Sequence, residues 1–162
     1  MGVLMPEDDN FMQEALRCAE KAYRFGEVPI GAVAVYEGKI IAKCYNMRET
    51  LGDPTAHAEM LAIRQASAML GKWRLTGVTL YVTLEPCPMC AGAIINSRID
   101  RLVYGARDPK AGAVDTLFDI VRDERLNHSV NVRSGVMETE CMAILKEFFA
   151  ALRERNKAKA EK

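Results

Sequence analysis

Two short segments limit what this chain can fold into. One is Pro86-Cys87-Pro88-Met89-Cys90, which closes a β-rich run and opens a helical one; the other, upstream, is His57-Ala58-Glu59 at the start of a second helical pattern. Thiols three residues apart in a first helical turn can clasp a single ion, and the unpaired N–H groups there favour the metal-binding thiolate. In sheets flanked by helices, ligands collect beyond the carboxyl ends of strands, where such helices begin. For the histidine to join the thiols, two neighbouring helices must start at one edge of one sheet. That requirement points to an α/β chain.

Read as metal chemistry, His57, Cys87 and Cys90 offer an imidazole and two sulfurs, a donor set suited to Zn2+, one ion per subunit. Zinc prefers four ligands, so a fourth position is left for water, whose pKa the ion lowers towards neutrality. Glu59 is then a candidate proton carrier, near the ion but not bound to it. A Cys-x-x-Cys alone also fits a redox pair or half of a structural zinc site. The redox pair leaves His57 and Glu59 unexplained. The structural site needs a further ligand from Cys18, Cys44, Cys141 or His128, none of which has metal-motif spacing.

At 162 residues the chain suits one domain with its own core, expected over 1–156 and followed by a charged tail over 157–162. Twenty-two basic residues balance 22 acidic ones, which excludes a general polyanion binder and leaves room for a local nucleic-acid surface. Residues 146–162 carry six basic and three acidic side chains, a bias that suits a phosphate backbone and equally a solvated tail. Five cysteines without a dense framework imply reduced thiols and a cytoplasmic protein. Residues 1–9 lack the basic start and apolar run of a signal peptide, and Lys or Arg interrupts every candidate membrane span.

Asp8 or Asp9 is placed to cap a first helix, with Phe11, Met12, Ala15, Leu16, Ala19, Ala22 and Tyr23 at helical spacing and Gly26 as its stop. Cys18 falls in that pattern as a packing residue. A strand to Tyr36, a turn at Glu37-Gly38-Lys39 and a strand over 40–45 read as a hairpin, after which Asn46 is a turn former. A helix is expected over 57–70, with Met60, Leu61, Ile63 and Leu70 as its buried face. The strand over 78–83 delivers the cysteines to a helix running to Ser97, and a strand over 101–105 makes a parallel pair with it. A loop over 106–113, a short helix over 115–121 and a strand over 130–133 follow. A terminal helix from Glu138 to about Arg155 carries Cys141, Ile144, Leu145, Phe148, Phe149 and Leu152 on its apolar side.

Over about 11–153 the chain resembles the bacterial tRNA-specific adenosine deaminases. The resemblance is carried by Gly26-Glu27-Val28-Pro29-Ile30-Gly31-Ala32, by Asp53-Pro54-Thr55-Ala56-His57-Ala58-Glu59, and by the run from Thr79 through Leu84-Glu85-Pro86-Cys87-Pro88-Met89-Cys90 to Gly92, with Tyr104-Gly105-Ala106-Arg107-Asp108-Pro109-Lys110 beside them. It implies a three-layer α/β/α cytidine-deaminase-like fold with a central mixed sheet of about five strands, a homodimer, and conversion of the wobble adenosine of a tRNA anticodon to inosine. In that resemblance His57, Cys87 and Cys90 match zinc ligands and Glu59 the proton shuttle. Asn46 matches a residue that holds the purine, with Val28, Pro29, Ala58 and Leu84 around the base. Arg107 and Asp108 match a loop near the flipped nucleotide, and Phe149 and Arg153 the end that approaches the anticodon stem-loop. Pro88 departs from the family, where valine is common between the cysteines; proline suits a first helical turn and should spare the ligands.

The implied reaction is hydrolytic: activated water attacks C6 of adenine while Glu59 carries a proton to N1 and then to the leaving amine. An anticodon loop is already single-stranded, so presenting a base there costs less than extracting it from a duplex. Two other functions would use the same motifs. One is a deaminase of a free nucleobase or nucleoside such as guanine or cytosine. The other is a non-catalytic, zinc-stabilised RNA-binding protein, which would have no use for Glu59.

Overall fold

Side chains alternate along the strands of one sheet and so serve two separate cores. The chain, a computed structural model describing residues 5–161, runs α1 (Asp8–Arg24), β1 (Gly31–Tyr36), β2 (Lys39–Tyr45), α2 (Arg48–Leu51), α3 (Ala58–Leu70), β3 (Val78–Leu84), α4 (Pro88–Asn96), β4 (Arg101–Ala106), β5 (Asn131–Arg133) and α5 (Glu138–Ala160). The reading of the first four residues as free of a signal, and of Lys162 as tail, lies outside the described residues. The sheet order is β2-β1-β3-β4-β5. β1 is antiparallel to both β2 and β3, whereas β3, β4 and β5 are mutually parallel neighbours, so the sheet is mixed and five-stranded as expected.

Ala32, Ala34, Leu80, Val82, Leu102 and Tyr104 point to the face covered by α3 and α4, where Ala62, Ala66, Ile94 and Ile95 pack on them. Val33, Val35, Tyr81 and Val103 point the other way, onto Met12, Ala15, Leu16 and Cys18 of α1 and Cys141 of α5. The result is the three-layer α/β/α arrangement. α1 lies directly on the start of β1, and Gly31 allows it: a Cβ there would sit 1.9 Å from the Ala15 carbonyl oxygen.

Four expectations are corrected. Asp8 does not cap α1. It is fully buried, accepting hydrogen bonds from the Tyr81 hydroxyl at 2.7 Å, from Arg101 at 2.7 and 2.8 Å and from Arg133 at 2.6 Å. It therefore ties α1 to three strands. The buried stripe of α3 is Ala58, Ala62 and Ala66, not Met60 and Leu61, because alanines four apart let the helix approach the sheet; Ile63 and Leu70 pack at its margin. The segment 115–121 forms turns and no helix. The N–H groups of Leu117 and Phe118 donate to the Gly112 carbonyl and that of Ile120 to the Ala113 carbonyl, five to seven residues back where a helix needs four, so the helical ladder does not form. Finally, α5 continues to Ala160, through most of the stretch expected as a tail.

The half-buried His128 is spoken for, its Nε2 lying 2.7 Å from the Ile99 carbonyl. Among the described residues no helix is long and apolar enough to cross a membrane.

Candidate metal centre and active site

β3 ends at Leu84, and Glu85-Pro86 carries the chain directly into the start of α4. Cys87 is the N-cap residue of α4, with Pro88 in the first turn, and His57 is the N-cap residue of α3; both have extended backbone. Neither uses its side chain to cap its own helix, so both can turn towards each other. His57 Nδ1 lies 3.6 Å from Cys87 Sγ and 3.5 Å from Cys90 Sγ. All three donor atoms fall within 4.8 Å of one another. A tetrahedral zinc at ordinary Zn–N and Zn–S lengths sets its nitrogen and sulfur ligands about 3.6 Å apart. The donor set and its spacing therefore fit Zn2+. No other group of three His, Cys, Asp or Glu donors gathers this way among the described residues.

The thiols are unequal. Cys90 donates to Cys87, and that bond, against the cost of burial and with help from His57 and the Cys90 backbone N–H, brings Cys87 down to about 4. The same bond, with burial, pushes Cys90 up. Bonding to Cys87 raises His57. Glu59, only 4% exposed, stands against Cys90, and burial lifts its carboxyl to about 7. A carboxyl poised there can both take and give a proton at neutral pH.

Beside the imidazole is a cavity of about 100 Å³ lined by Val28, Ile30, Asn46, Arg48, His57 and Ala58. Asn46 is buried and bridges two segments: its Nδ2 donates to the Val28 carbonyl at 3.3 Å, and its Oδ1 accepts the Arg48 N–H at 3.1 Å. Pro29 is buried alongside Val28. Leu84 packs towards the α1–α5 core. Arg107 is exposed, and Asp108 Oδ1 accepts the N–H groups of Lys110 and Ala111 at 3.0 and 3.2 Å, shaping its loop. Phe149 and Arg153 are exposed on α5, Phe149 edge-on to Phe148.

Ile30 and Arg48 line the cavity without having been singled out from the sequence. Two buried carboxylates were also missed. Glu27 accepts the N–H groups of Glu49 at 3.1 Å and Thr50 at 2.6 Å and the Thr50 hydroxyl, which pins α2 beside the cavity. Glu85 accepts N–H groups from Asp108, Val114, Asp115 and Thr116 and the Thr116 hydroxyl, holding the loop after β4 against the cysteine turn. Burial opposes ionisation of both, and the bonds they accept win, so both carboxyls lie below their usual range. A lone acid inside an apolar run, such as Glu85 between Leu84 and Pro86, was the available signal.

A family model of MafB19-like deaminases matches residues 6–153. The chain is 54% identical over 154 residues to a tRNA-specific adenosine deaminase of Bacillus subtilis, spanning 95% of this chain and 96% of that one. It is 48% identical over 153 residues to a tRNA-specific adenosine deaminase of Streptococcus pyogenes serotype M1, spanning 94% and 90% of the two chains. Its fold matches, with a TM-score of 0.81 and 49% identity over 84% of this chain and 99% of the other, a structure from studies of A-to-I editing by tRNA:A34 deaminases at the wobble position of transfer RNA. Likeness of this extent, running through both helix starts and the whole sheet, makes the chain a member of the MafB19-like deaminases, alongside the tRNA-specific adenosine deaminases.

Proposed function

We propose that this protein hydrolytically deaminates the wobble adenosine of a tRNA anticodon to inosine. The observation that carries this reading is the meeting of His57 Nδ1 with two sulfurs at zinc-ligand spacing, next to a buried Glu59. The names of relatives about half identical to it supply the substrate class. His57, Cys87 and Cys90 would hold the ion, which when bound supplies a water acidic enough to serve as nucleophile near neutral pH. Glu59 accepts that water's first proton and delivers it to N1 of the adenine, then takes the second from the oxygen added at C6 and gives it to the leaving amine, so ammonia departs and the C6 oxygen stays as a carbonyl.

The remaining residues hold and orient. Asn46, fixed by Val28 and Arg48, presents its amide to the purine, while Val28, Ile30 and Ala58 give apolar walls. Pro29 and Leu84 shape the surroundings of the base. Arg107 and Asp108 meet the RNA beside the flipped nucleotide, and Phe149 and Arg153 meet the anticodon stem-loop. We take residues 1–156 as one deaminase domain that works as a homodimer in the cytoplasm; the exposed neighbours Leu117 and Phe118 are the kind of apolar surface a second subunit covers.

The test is to incubate zinc-loaded protein separately with an anticodon stem-loop, guanine, cytosine and cytidine, measure ammonia, and sequence the RNA. Ammonia from the stem-loop with inosine at the wobble position is expected. Release confined to a small molecule overturns the tRNA reading.

A further inference from the structure

Phe25 is the C-cap residue of α1 and is 67% exposed, yet its ring lies parallel to that of Tyr45, with centroids 6.1 Å apart and planes 6° apart. The half-buried Tyr45 already packs on the α1–α5 core, so Phe25 adds a second layer whose outer face is open. We propose that this pair is a stacking platform for an unpaired nucleobase of the RNA next to the target nucleotide, an inference that rests on the RNA substrate proposed above.

Position is the first argument. Phe25 stands three residues before Val28, and Tyr45 immediately before Asn46, and the Asn46–Val28 hydrogen bond joins these two segments as one wall of the cavity beside His57. The platform and the cavity thus belong to the same two stretches of chain. A loop that turns one base into a pocket leaves its neighbours unstacked, and such bases are taken up on aromatic side chains.

Charge is the second. From Tyr45 a groove of about 470 Å³ follows the outer edge of β2, lined among others by Lys43, Met47, Leu61 and Arg64. Lys43 shares its charge with Glu14 at 3.6 Å, while Arg64 is exposed. Aromatic faces combined with cations that track a backbone are what single-stranded nucleic acid needs. An added peptide strand suits this edge less well, because Gln65 Oε1 already accepts the outward Lys43 N–H at 3.2 Å. Stacking of this kind accepts any base, so the platform contributes affinity without demanding a particular neighbour.

The experiment measures binding of an anticodon stem-loop to full-length, zinc-loaded Glu59→Ala protein, alone and with a second change, and turnover in the corresponding Glu59-containing proteins. Phe25→Ala should weaken binding on the order of tenfold and raise KM with little change in kcat. Phe25→Trp should retain wild-type affinity, and Trp73→Ala, which removes an exposed ring elsewhere, should change nothing. An abasic scan of the loop should find one position beside the target where wild type and Phe25→Ala bind equally. If Phe25→Ala binds as tightly as wild type, or its deficit persists at every abasic position, the platform is wrong. If wild-type protein releases no ammonia from any RNA, the function proposed above fails first, and with it this inference.

Discussion

A Cβ on residue 112 would lie 2.5 Å from the Glu85 carboxylate, so Gly112 and Glu85 fit together only because one of them has no side chain. Through that contact the loop after β4 closes over a buried acid two residues before Cys87. Gly112→Ala should push the carboxylate away from the N–H groups of Asp108, Val114, Asp115 and Thr116. Leaving such groups unsatisfied costs about 1–3 kcal/mol. Equilibrium urea unfolding should show that loss. The KM for stem-loop RNA should rise as well, since Arg107 and Asp108 ride on the same loop. Thr116→Ala, which removes only one of the bonds, should cost about 1 kcal/mol.

Glu59→Gln separates metal binding from proton transfer. The amide has nearly the shape of the acid, and His57, Cys87 and Cys90 are unchanged, so elemental analysis should find about one zinc per chain, as in wild type. Without an ionisable group the ammonia rate should fall by about 10²- to 10⁴-fold. A zinc-loaded variant that still turns over at the wild-type rate would remove Glu59 from the proton path.

The sequence made the sheet and the meeting of the two helix starts legible, because the β-branched and aromatic run over 78–83 and the His57-Ala58-Glu59 and Cys87-Pro88-Met89-Cys90 motifs at the starts of helical patterns are local signals. The failures share a cause. Asp8 reads locally as a helix cap, but its partners Tyr81, Arg101 and Arg133 are 73 to 125 residues away, so tertiary contacts override its local preference. The turns at 115–121 read as a helix because nothing local shows that Leu117, Phe118 and Ile120 donate back to the Gly112 and Ala113 carbonyls, in a loop that Glu85 anchors from about 30 residues upstream. The face of α3 was misjudged because buried alanines carry little weight beside Met60 and Leu61, although small size is what brings that helix close to the sheet. Arg48 entered the cavity wall through Asn46 and Glu27, neither of which announces a partner in the linear chain.

Metal loss should be visible in stability as well as activity. Cys90 is wholly buried between Glu59 and Cys87, so Cys90→Ala removes a ligand without exposing a polar surface. A ligand that binds only the folded state stabilises it in proportion to the logarithm of its concentration over Kd. A chelator should therefore lower the melting temperature of the wild-type protein and leave that of Cys90→Ala unchanged. Equal shifts in both would show that the ion is held elsewhere.

Acid should unfold this protein through its buried carboxylates, Asp8 foremost. Burial acts to raise the Asp8 carboxyl, but hydrogen bonds from Arg101, Tyr81 and Arg133 hold it well below its ordinary 3.8; Glu27 and Glu85 are lowered by their own hydrogen bonds. When the folded-state pKa is depressed, the unfolded chain binds more protons between the two values, so stability rises with pH across that window. The contribution is complete above the unfolded value and drains away as pH falls below about 4 towards the folded one. Asp8→Asn abolishes this titration and leaves Arg101 and Arg133, whose side chains are 11% and 21% exposed, without their shared carboxylate. Breaking a buried pair from one side costs about 3–5 kcal/mol. Urea unfolding at pH 7, 5, 4 and 3 should place the variant below wild type at neutral pH, with the gap narrowing as the buffer becomes more acidic. Two curves that stay parallel down to pH 3 would mean that the Asp8 carboxylate contributes nothing to the pH dependence of the fold.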